Sequence, residues 1–132
     1  MTGIACHIDD VAWGKAREEE LGPMRWKEVF NESLGGSGEF VFGYAELDPG
    51  NAIPLHTHEQ AETIFVTAGA ARVRLGNRVV DLASSSAAFF PGGVPHAIEA
   101  LGREPLSYVS TYATEKLGQN IEIEDASEEA AS

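Results

Sequence analysis

From residue 25 onward the sequence is divided into short segments rich in Val, Ile, Phe and Tyr, and Gly, Pro, Asn or Asp separates each segment from the next. These segments predict nine β-strands, at residues 25–30, 39–47, 52–58, 62–68, 71–75, 78–82, 87–90, 97–101 and 106–113. A further short strand is predicted at Ile121, ahead of an acidic tail. Short antiparallel strands at regular spacing are typical of a sandwich or barrel, because closure removes most exposed sheet edges. The predicted fold class is therefore all-β, a small antiparallel β-barrel.

Turn chemistry and chain length predict how the strands are organised. The run Asp48-Pro-Gly-Asn51 combines a fixed φ with a permissive glycine, and Gly76-Asn77 between two β segments predicts a two-residue hairpin. A chain of 132 residues has room for one apolar core. We therefore expect one barrel domain at 25–118, preceded by an N-terminal arm at 1–24 and followed by the last strand and an acidic mobile tail at 119–132.

The charge of the chain argues against two classes of partner. Lys and Arg total 9 against 21 Asp and Glu, and the formal net charge of -12 should repel phosphate backbones and anionic membrane surfaces. We therefore expect no nucleic-acid and no membrane partner. A single cysteine, Cys6, allows no internal disulfide, and no basic segment followed by a long apolar run stands near the N-terminus. The expected location is the cytoplasm.

The run from Pro54 to Glu62, Pro-Leu-His-Thr-His-Glu-Gln-Ala-Glu, carries three candidate metal ligands in a β context. Side chains on a strand alternate between two faces, which predicts that His56, His58 and Glu62 point to the same side. Successive same-face residues lie roughly 6.6 Å apart, a distance from which two imidazoles can lean onto one ion. On a helix, positions 56 and 58 would be about 200° apart and could not share a metal. The spacing therefore predicts a metal site on a β face.

A fourth candidate ligand, His96, follows a Pro/Gly-rich turn, Phe90-Pro-Gly-Gly-Val-Pro95, at the start of a later strand. In a barrel this strand can face the first one. Of the four histidines in the chain, only His7 lies outside these two runs. The prediction is one divalent metal ion held by four side chains, His56, His58, Glu62 and His96.

The stretch of residues 50–69, Gly-Asn-Ala-Ile-Pro-Leu-His-Thr-His-Glu-Gln-Ala-Glu-Thr-Ile-Phe-Val-Thr-Ala-Gly, resembles the first motif of the cupin family at full spacing. The second cupin motif is matched at three positions, Pro91, Gly93 and His96. Ser85 stands where the family usually has Gly. Ala100 stands where it usually has Asn. Neither difference removes a predicted metal ligand.

The cupin resemblance covers roughly residues 25–114 and implies a jelly-roll-like, double-stranded β-helix with one mononuclear metal site inside the barrel mouth. Such barrels are often dimeric, so we expect a homodimer. Three imidazoles and one carboxylate suit Fe, Mn, Ni, Zn, Co or Cu, and affinity order alone does not choose among them.

Within the family, the run from Arg25 to Glu62 is similar to single-domain dimethylsulfoniopropionate lyases, which are also about this length. Those lyases use a tyrosine two residues after the glutamate ligand as a base. This chain has Ile64 at that position, so the resemblance does not carry a base over to it.

The candidate catalytic side chains are three tyrosines on other predicted strands, Tyr44, Tyr108 and Tyr112. Any of them that faces the interior could give or take a proton near the metal. Strand parity also predicts that Ile64 and Val66 line the interior, which makes that wall apolar.

Two functions are compatible with these residues. The first is a metal-dependent enzyme acting on a small organic substrate, either by oxygenation, which consumes dioxygen, or by a metal-assisted lyase or isomerase reaction, which does not. The alternative is a non-catalytic cupin that binds a metal or a metabolite in a regulatory role. The fold does not choose the substrate, because one barrel hosts many chemistries.

Overall fold

A computed structural model of the chain describes residues 3–14, 24–31, 38–113 and 121–122. Ten strands are formed, β1 (Arg25–Phe30), β2 (Val41–Leu47), β3 (Ala52–Thr57), β4 (Glu62–Ala68), β5 (Ala70–Leu75), β6 (Arg78–Leu82), β7 (Ala87–Phe90), β8 (His96–Leu101), β9 (Leu106–Tyr112) and β10 (Ile121–Glu122). The all-β prediction is confirmed, and each predicted strand ends within two residues of its observed bounds. None of the helical segments in the described ranges is long and apolar enough to cross a membrane.

The strands form two five-stranded antiparallel sheets. Sheet A has the order β1-β2-β9-β4-β7, and sheet B has the order β10-β3-β8-β5-β6. Buried side chains from both sheets meet in one core, with Ile64 and Val66 from β4 in contact with the cluster that includes Val73 and Ile98 from sheet B. The two sheets therefore enclose the barrel interior between them.

Alternation along β4 places side chains on two faces as the sequence predicts. Ile64 and Val66 are buried, whereas Phe65 on the outer face is 43% exposed. On the neighbouring β7, Phe89 is 57% exposed on the same outer face of sheet A. In sheet B, the outer-face Arg72 forms an ion pair with Asp81.

The predicted turns are observed. Leu75 pairs with Arg78 across the Gly76-Asn77 hairpin. The backbone N–H of Asn51 donates a hydrogen bond to the Asp48 carbonyl. Ser85 lies in the left-handed region at φ 68, a conformation that costs an L residue about 1–2 kcal/mol and costs glycine almost nothing. This backbone geometry explains why cupins usually have glycine at that position.

The N-terminal segment packs against the outer side of β1 and β2. A 3-10 turn forms at Ile8–Asp10, and the Ile8 carbonyl accepts a hydrogen bond from Nζ of Lys27 at 2.8 Å. The same ammonium group lies 4.6 Å from the centre of the Trp13 ring. Residues 1–2 and 15–23 of the expected arm and residues 119–120 and 123–132 of the expected tail lie outside the described ranges.

Candidate metal centre

The four predicted ligands come together at one end of the barrel interior. His56 on β3 and His96 on β8 are directly paired across sheet B. His58 follows the end of β3, and Glu62 is the first residue of β4 in sheet A. All four side chains are buried, with exposed fractions of 7% or less.

Strand parity predicted that His56, His58 and Glu62 share one face of a single strand, whereas the structure brings these side chains together in another way. β3 ends at Thr57, one residue earlier than predicted, and a turn separates it from β4. The register of β3 against β8 also shifts between Ile53 and His56, so that both of these residues point inward despite their odd spacing. His56 and Glu62 therefore meet because two sheets face each other, and not because they share a strand.

The Pro/Gly turn before β8 packs closely against the turn that follows β3. A Cβ on Gly92 would overlap the carbonyl oxygen of Glu59, so this close approach requires glycine. The backbone N–H of Gly93 donates a hydrogen bond to the His58 carbonyl at 2.8 Å. On the far side, Phe90 stacks on the His96 ring at 4.5 Å. These contacts fix where His96 enters the site.

The three histidines form a compact group. One ring nitrogen from each of His56, His58 and His96 lies within 4.8 Å of the other two, a spacing that could hold a metal ion. The ring centroids of His56 and His96 are 4.2 Å apart, and those of His58 and His96 are 4.7 Å apart.

Backbone carbonyls fix the tautomer of all three rings. Nδ1 of His56 lies 2.8 Å from the Pro54 carbonyl, and Nδ1 of His58 lies 2.8 Å from the Gln60 carbonyl. Nδ1 of His96 lies 2.9 Å from the Val94 carbonyl. A carbonyl only accepts, so each Nδ1 carries a hydrogen, and a ring in its neutral form then has an Nε2 lone pair with which to bind a metal. This is the arrangement that orients metal-binding imidazoles in proteins.

Glu62 brings a negative charge to the same place. Its Oε1 lies 3.1 Å from Nε2 of His58 and 3.4 Å from Nε2 of His96. Its Oε2 accepts a hydrogen bond from the Ser110 hydroxyl at 2.7 Å. Burial raises the pKa of Glu62, but the close contacts with His58 and His96 and the hydrogen bond from Ser110 outweigh burial and lower this pKa to about 2. The carboxylate is therefore ionised at neutral pH.

The donor set fits a cation. Burial and the neighbouring His96 lower the pKa of His56 to about 4, so this ring is neutral at pH 7. Nε2 of His96 is buried and has no hydrogen-bond partner among the described residues. A buried carboxylate surrounded by imidazole lone pairs is unfavourable unless a positive charge is present. A proton could supply this positive charge at one imidazole, whereas a divalent ion could bind all three imidazoles at once.

A small cavity lies beside the histidines and Glu62. Its volume is about 10 Å³, and the other side chains that line it are Met24, Ile53, Ile98, Tyr108 and Tyr112. The Tyr108 hydroxyl donates a hydrogen bond to Sδ of Met24 at 3.2 Å, and burial raises the pKa of Tyr108 well above its ordinary value. The Tyr112 ring packs edge-on against His58 at 5.5 Å.

The structure separates the three candidate tyrosines. Tyr108 and Tyr112 line the cavity beside the metal ligands. Tyr44 lies on the outer face of β2, where its hydroxyl donates to Glu46 at 2.8 Å and its ring lies 6.1 Å from that of Trp13. The condition for a catalytic Tyr44, an inward-facing ring, is therefore not met.

Sequence reasoning missed two residues of the site. Ser110 lies between Tyr108 and Tyr112 on the inward face of β9, so strand parity could have identified it. Met24 precedes β1, in a segment where no periodic pattern predicts which side chains face inward.

Comparison with known proteins identifies the family. A family model of the cupin domain matches residues 43–112, which is more than half of the chain. The chain belongs to the cupin family. The dimethylsulfoniopropionate lyase DddW of Ruegeria pomeroyi is 24% identical over 110 residues, covering 83% of this chain and 72% of the lyase. The resemblance seen in the sequence is thereby confirmed.

Solved cupin structures superpose well on this chain. The polyketide cyclase RemF from Streptomyces resistomycificus gives a TM-score of 0.79 at 20% identity, covering 99% of this chain and 94% of the cyclase. A cupin 2 domain-containing protein from Halorhodospira halophila gives a TM-score of 0.74 at 23% identity, covering 89% of this chain and 81% of that protein. At these identities the likeness shows the cupin fold alone.

Proposed function

We propose that this cupin is a mononuclear metal-dependent enzyme that acts on a small organic molecule. The proposed ligands of one divalent transition-metal ion are His56, His58, Glu62 and His96. Iron, manganese, nickel, zinc, cobalt and copper are all compatible with this nitrogen and oxygen donor set.

One observation carries the proposal: three clustered imidazoles have carbonyl-bound Nδ1 atoms, and the Nε2 atoms of two of them, His58 and His96, face a buried, ionised carboxylate. An interior that only had to be stable would be filled by apolar side chains, because burying such charged and polar groups is costly. Retention of this group is expected where a cation is bound.

The chain's own residues supply binding and proton-transfer groups around the ion. When bound, a divalent metal would supply Lewis acidity and, for iron or copper, redox chemistry. The Tyr108 hydroxyl stays protonated because burial raises its pKa, so it serves as a hydrogen-bond donor. Tyr112, packed against His58, is the second hydroxyl on the cavity wall. Ser110 holds Glu62 in place through Oε2.

A metal-assisted lyase or isomerase reaction is the form of the proposal that we favour. The relative matched by sequence is named as a lyase, and that name supports this class over oxygenation. Ile64, which is buried on the inner face of β4, replaces the tyrosine that serves the lyases as a base. A substrate other than dimethylsulfoniopropionate is therefore expected.

A second candidate function is supported by the size of the cavity. At about 10 Å³ the space beside the ligands is no larger than one water molecule needs, and a substrate requires much more. A cupin that binds a metal without turnover, in a regulatory role, would have such an interior.

Elemental analysis of protein purified without chelator tests the metal site directly. About one transition-metal ion per chain is expected in the wild type, and His56→Ala should lose it because one of four converging donors is removed. His7→Ala is the matched control, since His7 lies outside the cluster and is exposed. Absence of metal from the wild type after reconstitution, or equal loss in both variants, would contradict the proposal.

The loaded protein then separates the two candidate functions. Small carboxylates, thioethers, diketones and sugars are offered with and without dioxygen. Turnover that persists without dioxygen supports a lyase or isomerase, and turnover that stops supports an oxygenase. A loaded protein that converts none of these compounds supports the binding function.

A further inference from the structure

Met24 differs from every other residue that lines the cavity beside the metal ligands. The remaining lining residues lie on β3, β4, β8 and β9, where hydrogen bonds to neighbouring strands hold the backbone on both sides. Met24 precedes β1, which is the edge strand of sheet A. Its side chain is 2% exposed and occupies the interior next to Tyr108. Met24 is therefore the lining side chain whose departure from the interior would disturb the fewest backbone hydrogen bonds between strands.

The contact that holds Met24 is weak and replaceable. A thioether sulfur is a poor hydrogen-bond acceptor, so the bond from the Tyr108 hydroxyl to Sδ is weaker than one to an oxygen. The methionine side chain is unbranched and has three rotatable bonds, which lets it adopt other rotamers without moving the backbone. An oxygen acceptor of similar shape would bind Tyr108 better than Met24 does.

The lining also defines the surface that such a molecule meets. Ile53, Ile98 and Met24 provide apolar surface, and Tyr108 provides a hydroxyl group. None of the described lining residues is Lys or Arg. A molecule that enters this space therefore needs an apolar body, because burying apolar surface is favourable and burying an unpaired polar group is costly.

We propose that the space filled by the Met24 side chain is the substrate subsite of this centre, and that its ligand is a small molecule with an apolar body and one oxygen acceptor. The oxygen replaces the Met24 sulfur on the Tyr108 hydroxyl, and the apolar body lies against Ile53 and Ile98. This inference rests on the proposed function, because it places the substrate beside the metal ligands.

Displacement of Met24 reconciles the small cavity with an enzymatic role. The cavity of about 10 Å³ is the size with Met24 inside, and rotation of this side chain adds its own volume to the space beside Tyr108. Only molecules whose Met24 side chain has left the interior can bind the ligand, so the apparent affinity falls as the population with Met24 inside rises. Replacement of Met24 by alanine should therefore tighten binding.

Two probes of the same shape test the subsite. Ethyl methyl sulfide reproduces the Met24 side chain. In 2-butanone a carbonyl group stands in place of the sulfur atom of that sulfide. In zinc-loaded Met24→Ala protein we expect both probes to bind more tightly than in the wild type, with 2-butanone preferred. Addition of Tyr108→Phe should weaken 2-butanone binding by about 2–10-fold, the value of one hydrogen bond, and change sulfide binding less.

Leu47→Ala is the matched control, because it removes a fully buried side chain that does not line the cavity. Equal binding of the probes to Leu47→Ala and Met24→Ala, or a Tyr108→Phe effect that is the same for both probes, would overturn the inference. The zinc content is measured in every sample. A wild type that does not load zinc refutes the proposed function itself, whereas a loaded protein that fails these tests refutes only the subsite.

The wild-type protein provides a test that does not depend on the folding of a variant. The chain has two methionines, Met1 and Met24, so a protein labelled with ¹³C-methyl methionine gives one methyl signal for each. In the zinc-loaded protein, 2-butanone should shift the Met24 signal toward that of an exposed methyl group. A Met24 signal that does not move at saturating 2-butanone would contradict displacement.

Discussion

Glu62 and Asp81 are both paired carboxylates with a lowered pKa, but their surroundings are opposite. Asp81 is on β6, and its side chain is 56% exposed beside Arg72, whose guanidinium donates two hydrogen bonds to it. These bonds lower the pKa of Asp81 in water. Glu62 is 4% exposed, and burial opposes its ionisation.

The difference between these carboxylates lies in how much each depends on its partners. Water already solvates Asp81 and Arg72 separately, so their pairing contributes little to stability. Glu62 has lost its water and faces imidazoles that are not permanently charged. Burial opposes the ionisation of Glu62, and a bound cation would supply the full counter-charge that the imidazoles lack.

The largest effect is expected from Glu62→Gln. Removal of the charge should weaken metal binding by more than the ~10–100-fold that is typical for losing a residue that only orients a ligand. Bound metal should also raise the melting temperature of this variant by less than it raises that of the wild type, because a ligand stabilises the folded state according to its affinity. Calorimetric titration and thermal melts with and without metal measure both quantities.

Glu59→Gln is the control for this substitution, because it removes the same charge from an exposed position in the adjacent turn. It should leave both metal affinity and stability close to the wild type. If Glu62→Gln binds metal as tightly as Glu59→Gln does, Glu62 is not a ligand.

An intermediate effect is expected from Ser110→Ala. The hydroxyl bonds Oε2 of Glu62 and leaves Oε1 facing the histidines, so its loss should lower metal affinity by about 10–100-fold. Ser107→Ala is the matched variant on the same strand, because Ser107 is also buried and bonds the Thr67 hydroxyl at 2.7 Å. It should reduce stability by about 0.5–1.5 kcal/mol and leave metal affinity unchanged.

A double-mutant cycle tests whether Ser110 affects metal affinity through Glu62. If this residue acts by holding Glu62, then Ser110→Ala should have little further effect on metal affinity in the Glu62→Gln background. Additive losses from the two substitutions would instead show that Ser110 influences the site by another route. Metal affinities of the four proteins are compared under one set of conditions.

The smallest effect is expected at the exposed pair. Arg72→Ala and Asp81→Ala should each change the melting temperature by no more than an ordinary surface substitution, because solvent screens this pair. The metal affinity should stay at the wild-type value. A large loss of stability from either variant would show that solvent exposure does not predict how much Asp81 and Glu62 each contribute to the free energy of unfolding.

The sequence alone predicted the strands and the four side chains that come together in the candidate metal centre. Turn residues such as Gly76-Asn77 and the period-two pattern of β4 act locally, so they can be interpreted without knowing the fold. The histidines were recognisable because His56, His58 and His96 fall in two short motifs of a familiar spacing.

Only the tertiary structure decided what surrounds these ligands. The register shift in β3, the docking of Gly92 against Glu59, and the outward direction of Tyr44 depend on how strands from two sheets pack. Met24 enters the site from a segment without periodicity. Strand parity can place Ser110 on the inward face of β9, but not in contact with Glu62, which lies 48 residues away in the chain. Local sequence patterns constrain neighbouring backbone, whereas contacts across the barrel depend on closure of the whole chain, and this is why they could not be predicted from the sequence.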